Sequence, residues 1–389
     1  MWSGLSKNMM RTALRMDESL SPLLPSLPHE IAWRCLVTLP PRNRAIASCV
    51  SRAWANACKN KSFIRSLRRS LNLPTEYCIF IAVFDSRFNG DYIHATQHNT
   101  KWLLLDPLSL GVQVLPNPLS AISVEMNLCS AATNNQIFLP QVNQTKEGFF
   151  SYDTVAGRWK SVELPQGKRC RRFCCAEMKE FVYLCGGLIN FTGEASRSAL
   201  RYDSRNNQWE KLPDMIMPRI DCAGVRMNDK FYAIGGYCHS PRGFPQIHVS
   251  AERFDPATGQ WTLLPNFCTR GLRYAEDSAI TESDFAAVEN KRLFAVQPES
   301  NEVMELDGVK EEWRHLGYIG GVCEMRECGN NYKILGVGSE LWAIQYTVGK
   351  SIKIYSCTPG ELESLKWRQI DVRGLERFDH VLTGTTVEV

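Results

Sequence analysis

Seven histidines, fifteen cysteines and a recurring Asp-to-Trp spacing are the features of this 389-residue chain that could carry chemistry. His94 and His98 stand four apart, the spacing at which two imidazoles on one helix face hold zinc. Their setting, YIHATQHNTKW, falls between strand-like segments, lacks the glutamate of an HExxH motif and offers no obvious third ligand. Cys170, Cys174 and Cys175, or Cys323 and Cys328, lack the paired CxxC spacing of a zinc module. Most of the cysteines, spread through long periodic segments, read as small buried apolar residues. A Walker-type phosphate loop is absent, and Gly186-Gly187 leading to Asn190-Phe191-Thr192-Gly193 reads as a strand ending in a turn. No nucleophile has a recognisable local setting, and acid–base catalysis would need converging groups that spacing alone does not supply. The sequence therefore gives no catalytic residue, no cofactor and no metal site.

With 45 basic and 41 acidic side chains the chain's net charge is only +4, too small to mark a nucleic-acid or membrane-surface partner. At 44% apolar and 22% charged it is a folding chain. No apolar run approaches the roughly 18 residues of a membrane helix, and the opening MWSGLSKNMMRTALRMDES lacks the apolar stretch of a secretory signal, so cytoplasm or nucleus is expected. Charge is uneven, however. Residues 1–72 hold 12 Lys or Arg against 3 Asp or Glu, and the rest holds 33 against 38. The step coincides with a change in hydrophobic period, which predicts a basic helical module ahead of an acidic, strand-rich body. Lys7, Arg11 and Arg15 alternate with Leu5, Met9 and Leu14 until Asp17 and Glu18 end the pattern, and residues 1–24 are expected to be a flexible tail.

The body is repetitive. Asp153 and Trp159, Asp203 and Trp209, Asp255 and Trp261, and Asp307 and Trp313 all share a six-residue spacing; Asp106 with Val112 extends the series, and Trp367 closes it in a stretched form. The slots at 112, 159, 209, 261, 313 and 367 lie 47, 50, 52, 52 and 54 residues apart. Each is preceded by a short strand-like run, starting at Cys78, Gln136, Phe181, Phe231, Arg292 and Leu341. A period near 50 with several strands per unit is what a β-propeller blade requires. The aspartates sit where a hairpin turn is needed and are read as turn-formers. Gly186-Gly187, Tyr202, Asp203 and Trp209, with Gly235-Gly236, Phe254, Asp255 and Trp261, resemble kelch repeats; Gln297-Pro298 and Gln345-Tyr346 replace the glycine pair later in the chain. The resemblance implies a kelch-type β-propeller over residues 71–389. Six blades are expected, with FDHVLTGTTVEV returning to complete the first, which is otherwise short of a strand.

In front of it, Leu27 to Phe63 has helical spacing broken by Pro40-Pro41. Ile46, Val50 and Trp54 form one stripe, widened by Cys49, Ala53 and Ala57, with Arg44 and Arg52 towards its flanks. A module of about 45 residues is small for an independent core and gains stability by covering a partner. The segment LPHEIAWRCLVTLPPRNRAIASCVSRAWANACKNKSF resembles an F-box, through Leu27-Pro28, Glu30, Ile31, Leu36, Leu39-Pro40 and Val50-Ser51-Arg52-Ala53-Trp54. The fold class is thus mainly β, a six-bladed kelch-type propeller preceded by a small α-helical F-box domain at residues 25–70. F-boxes of this kind dock on a Skp1-like adaptor and, through it, on a cullin RING ubiquitin ligase. The resemblance therefore implies a non-catalytic substrate receptor, with Leu27, Pro28, Ile31, Leu39, Val50 and Trp54 as the adaptor surface or its support. The combination resembles a family abundant in plants. The alternative is an adaptor or scaffold that binds a protein without promoting its ubiquitination.

In an up-and-down blade the second-to-third loop and the loop to the next blade emerge at the same end. Residues 188–199 and 237–251, with the interblade stretches, would bring Arg171, Arg172, Arg197, Arg219, Arg242, Arg270 and Arg273 to one end, alongside Phe244 and Tyr274. Arginine forks beside aromatics suit protein recognition. This set, led by Arg172, Arg197, Arg219, Arg242, Phe244, Arg270 and Arg273, is the candidate surface for a substrate protein whose identity the sequence does not reveal; Arg219, following Met-Pro, could equally bond loop carbonyls.

Overall fold

The computed structural model describes residues 26–39, 41–59, 61–73, 75–85, 100–118, 130–133, 136–142, 147–154, 156–165, 171–189, 193–240, 244–268, 285–297, 300–308, 310–321, 330–347, 350–360 and 365–388. The expected tail at 1–24, the His94/His98 pair, Cys170, Cys323 and Cys328 lie outside them. Two compact units divide at Tyr77 and Cys78, with Glu388 grouped with the first. Among the described residues no helix is long and apolar enough to cross a membrane.

Among its described residues the first unit holds four short helices, α1 (His29–Thr38), α2 (Pro41–Ala47), α3 (Arg52–Lys59) and α4 (Lys61–Ser70). Proline chemistry sets the first boundaries: Pro28 caps α1, and Pro41 opens α2, where a missing amide hydrogen costs nothing. Ser51 caps α3 by accepting the Trp54 amide at 3.2 Å. Ala32, Trp33, Leu36, Val37, Ala47, Ala57, Ile64 and Leu67 form the core, and Leu71 and Leu73 pack against it. Arg44, which the helical stripe puts on a flank, is in fact buried. Its two terminal nitrogens both bond the carboxylate of buried Glu76, and Arg68 Nη1 reaches the same carboxylate at 3.0 Å. One carboxylate beyond the last helix thus ties α2 to α4, a link between residues 32 apart that no local periodicity displays.

The second unit is a six-bladed β-propeller of four-stranded antiparallel sheets. Blade 1 contains β1 (Tyr77–Phe84), β2 (Thr100–Leu105) and β3 (Val112–Leu115); blade 2 contains β4 (Ala131–Thr133), β5 (Gln136–Val142), β6 (Glu147–Asp153) and β7 (Arg158–Glu163). Blade 3 is β8 (Arg171–Met178), β9 (Phe181–Leu188), β10 (Ala199–Asp203) and β11 (Gln208–Leu212). In blade 4, β12 (Ala223–Met227) and β13 (Lys230–Ile234) are followed by a separate hairpin of β14 (Tyr237–His239) and β15 (Pro245–Ile247) before β16 (Ala251–Asp255) and β17 (Gln260–Leu264) complete the sheet. Blade 5 is β18 (Phe285–Val288), β19 (Arg292–Val296), β20 (Glu302–Asp307) and β21 (Glu312–Tyr318); blade 6 is β22 (Asn330–Val337), β23 (Glu340–Thr347), β24 (Lys350–Cys357) and β25 (Arg368–Ile370). The six hydrophobic runs seen in the sequence are the second strands, β1, β5, β9, β13, β19 and β23.

The repeated residues do two jobs. Each aspartate accepts amide hydrogens within its own turn, as Asp153 does from Ala156 at 3.0 Å, Asp203 from Arg205 at 2.9 Å, Asp255 from Ala257 at 2.9 Å and Asp307 from Lys310 at 3.1 Å. Four of the repeated tryptophans reach back to the preceding blade: the indole N–H of Trp159 donates to Pro116 O at 2.6 Å, Trp209 to Glu163 O at 2.8 Å, Trp261 to Pro213 O at 2.8 Å and Trp313 to Phe267 O at 2.9 Å. The six-residue spacing places each tryptophan opposite an aromatic or aliphatic partner across the hairpin, as in Tyr202 with Trp209 and Phe254 with Trp261.

Ring closure falls to β26 (His380–Glu388), which pairs with β1 as the inner strand of blade 1. Its Thr383 hydroxyl bonds Ser130 beside blade 2 at 2.7 Å, and its Thr386 hydroxyl donates to Gly336 O of blade 6 at 2.8 Å. Deleting residues 380–389 is therefore expected to abolish the single cooperative thermal transition of the propeller. Circular dichroism of the truncated chain checks this, and an unchanged transition contradicts closure by β26.

Candidate protein-binding surfaces

Large apolar side chains left in solvent are the informative ones in a chain with this much core. Among the described residues four lie in the helical unit, Leu27, Ile31, Ile46 and Val50, the last 70% exposed. Four more, Ile189, Ile216, Phe244 and Val249, lie in loops of blades 3 and 4, and Leu108 and Val114 lie in blade 1.

In the helical unit Leu27 and Ile31 stand one turn apart at the start of α1, while Ile46 and Val50 mark the end of α2 and the turn after it. Pro28 is exposed beside them. Leu39 and Trp54, named with them from the sequence, are partly buried against the helical core and support the surface from beneath. Ile46 belongs with the exposed set; its i, i+4 relation to Val50 was the signal for it.

At the other candidate surface the chain segments interlock. The linker 213–222 between blades 3 and 4 is bonded to the 189–198 loop through Arg219 N to Ser196 O at 3.0 Å and Met215 N to Arg197 O at 2.8 Å. It meets the blade 4 loop through an Ile220–Tyr237 bridge and His248 Nε2 against Pro218 O at 3.0 Å. The glycine pair of blade 3 makes room for this crossing. Gly186 has φ +74°, and a Cβ there would stand 2.4 Å from the Arg219 carbonyl oxygen, whereas the Gly187 amide bonds that same oxygen at 2.7 Å.

Arg219 itself is fully buried. Nε donates to Glu252 Oε1 at 3.1 Å, Nη1 to Gly235 O at 2.7 Å and Nη2 to Ser250 Oγ at 2.8 Å, and Glu252 also accepts the amides of Ile216 and Met217 at 2.6 and 3.0 Å. The expectation of Arg219 as a contact residue is therefore corrected: its side chain is shut off from solvent and its donors hold the loops together. Arg172 pairs through Nε and Nη2 with Asp221, lies 5.5 Å over the Tyr237 ring and adopts left-handed backbone at φ +56°, as Asp221 does at +53°. Two left-handed non-glycine residues cost roughly 1–2 kcal/mol each, offset here by the bidentate pair. Arg197 is exposed, and Phe244 stands at the tip of the β14–β15 hairpin, 70% exposed. Arg242, Arg270, Arg273 and Tyr274 lie outside the described residues. Ile189, Ile216 and Val249, also exposed here, carry no sequence signal that sets them apart from covered loop aliphatics. Burial holds the His248 imidazole below its ordinary range, with Arg219 adding to the effect.

Comparison with known proteins fits this geometry. The F-box domain model matches residues 24–66, and the kelch motif model matches 169–216 and 218–267, the latter two spanning blade 3 and blade 4. F-box/kelch-repeat protein At1g80440 of Arabidopsis thaliana is 24% identical over 94% of this chain and 99% of its own length. F-box/kelch-repeat protein At1g26930 of the same plant is 25% identical over 74% of this chain and 70% of its own. By these matches the chain is similar to F-box/kelch-repeat proteins, in its helical module and in its propeller. Its domain architecture is typical of substrate receptors of SCF ligases and of non-catalytic adaptors.

Two outcomes are expected from the buried network between blades 3 and 4. Arg219→Ala leaves Glu252 buried without its cation and should destabilise the propeller by about 3–5 kcal/mol in urea unfolding, while Arg197→Ala should change it by less than about 0.5 kcal/mol; equal effects contradict the assignment. A histidine whose folded pKa lies below its unfolded value of 6.5 binds protons more readily when unfolded. Stability should therefore fall as pH drops through 6.5, and His248→Gln should reduce that slope.

Proposed function

We propose that this chain is the substrate-recognition subunit of an SCF-type ubiquitin ligase, acting in the cytoplasm and/or nucleus. The helical module holds a Skp1-like adaptor, the propeller holds a client protein, and the cullin RING assembly reached through the adaptor brings a ubiquitin-loaded E2 to a client lysine. The single observation that carries the reading is the set of apolar side chains, Leu27, Ile31, Ile46 and Val50, left outside the core of a module that matches the F-box model. The four described helices, of seven to ten residues, bury one small core and leave those side chains exposed among the described residues. A partner's apolar groove would cover them, at about 1.5–3 kcal/mol per side chain. The chain contributes proximity and orientation to the transfer, and needs no catalytic group.

The client side rests on the loop end of blades 3 and 4, where Arg197, Phe244, Ile189, Ile216 and Val249 stand exposed on a scaffold tied down by Arg219 and Asp221. Exposed side chains on loops held rigid from below bind with little ordering cost.

Titration of a purified Skp1-like adaptor into the full-length protein should give one-to-one binding with a submicromolar Kd. Ile31→Glu with Val50→Glu should weaken it at least about 100-fold, close to 3 kcal/mol, with helicity unchanged by circular dichroism. No binding by well-folded protein overturns the assignment. Arg197→Glu with Phe244→Ala should leave adaptor binding intact and cut capture of clients in proximity labelling at least about tenfold; unaltered capture places the client surface elsewhere.

A further inference from the structure

Beneath the loops of blades 3 and 4 three cysteines converge. Cys174 on β8 faces Cys185 across the strand pair with sulfurs 3.3 Å apart, and Cys222, at the entry to β12, brings its sulfur to 3.1 Å from that of Cys174. All three sulfurs lie within 4.8 Å of one another, all three residues are buried and all are free thiols. They stand 11 and 48 residues from Cys174 in the chain, so no local motif announces them. The sequence expectation of no metal site rested on local CxxC and HxxxH spacing, which this arrangement bypasses.

We propose that Cys174, Cys185 and Cys222 form a closed, three-sulfur site for a soft monovalent metal ion, copper(I), tying blade 3 to blade 4. The ligand chemistry argues for the metal. Thiolates select soft ions, copper(I) and zinc foremost. With a metal–sulfur distance of about 2.3 Å, three sulfurs in a plane around an ion stand about 4 Å apart, so these sulfurs need to spread by about 1 Å or less. Structural zinc is four-coordinate, and no fourth His, Cys, Asp or Glu joins the group among the described residues. Copper(I) is content with three sulfurs and needs no water, which suits a site within the buried apolar cluster that also includes Met215, Tyr183 and Phe231. Binding displaces protons from sulfur to solvent and changes no oxidation state. The placement gives the ion a consequence: Cys185 precedes Gly186-Gly187 and Cys222 follows Asp221, so an ion there clamps the base of both loops. The site stands on its own geometry and does not depend on the ligase reading.

The test uses the reduced full-length protein under anaerobic conditions, titrated with copper(I) against a chromogenic copper(I) chelator. Because the site is closed, the titration is run on the native protein and on protein refolded with the ion present. The expected result in either arm is one tightly held copper(I) per chain, three sulfurs around copper by X-ray absorption and a raised thermal midpoint. Cys222→Ala should weaken binding at least 100-fold, and a Cys35→Ser/Cys49→Ser chain, lacking two exposed thiols, should keep it. The absorption measurement needs no variant and so survives a failure of Cys222→Ala to fold. No stoichiometric copper in either arm, copper with nitrogen or oxygen ligands or fewer than three sulfurs, retention by folded Cys222→Ala, or displacement of copper by equimolar zinc overturns the proposal.

Discussion

Everything in the larger unit depends on each blade finding its neighbour, and the contact that enforces this is the indole N–H of one repeat donating to a main-chain carbonyl of the repeat before it. Four tryptophans make that bond, over sequence separations of 43 to 48 residues. A four-stranded sheet alone has two exposed edges and two faces to cover. Radial repetition covers the faces with neighbouring blades, and the tryptophan fixes the stagger between them. Where the slot holds Val112 there is no indole to make the link, and the buried Trp367 indole nitrogen has no such partner among the described residues. Those two repeats flank the seam, where β26 supplies the closure by strand pairing and by threonine hydroxyl bonds to both sides.

Rigidity at the candidate client surface has a different source. The blade 3 to blade 4 linker passes between two loops, and Arg219 with Glu252 fills the crossing so fully that neither side chain meets solvent. A buried ion pair contributes little net stability against an apolar alternative, but it is intolerant of losing one member. Its value here lies in specifying one arrangement: Glu252 also accepts two linker amides, and Arg219 also donates to two carbonyls. The helical unit uses the same device with Glu76 between Arg44 and Arg68. In both units one ion-pair network sits inside the apolar core, while a few large apolar side chains, Val50 and Phe244 among them, stand outside it.

Much of the fold could be read from the chain because its signals are local and repeated. The six-residue Asp-to-Trp spacing is the span of one tight hairpin, so the aspartate turns and the tryptophan partners follow from the same count. The second strand of every blade carries the apolar run and was visible; the closing strand was visible only by bookkeeping, since the first repeat lacked a strand and the last left residues over. Arg219 illustrates the limit. Its type and its end of the blade suited recognition, but whether a guanidinium faces water or a carboxylate 33 residues away is a tertiary fact. Exposed Ile189, Ile216 and Val249 were illegible for the same reason, because an isolated aliphatic residue in a loop reads alike whether it is covered or bare. The cysteine trio is the extreme case, assembled from two adjacent strands and the threshold of a third.

The account's central claim is that this chain presents a client to a ubiquitin ligase. The most direct measurement is a reconstitution in which E1, E2, cullin, RING subunit and Skp1-like adaptor are combined with this chain and with a client captured on its propeller, and the modified lysines are read by mass spectrometry. The account predicts lysine-specific ubiquitination of the client that requires this chain and disappears when the propeller is removed. Client bound to the assembled complex but left unmodified would contradict the account and make the protein a scaffold.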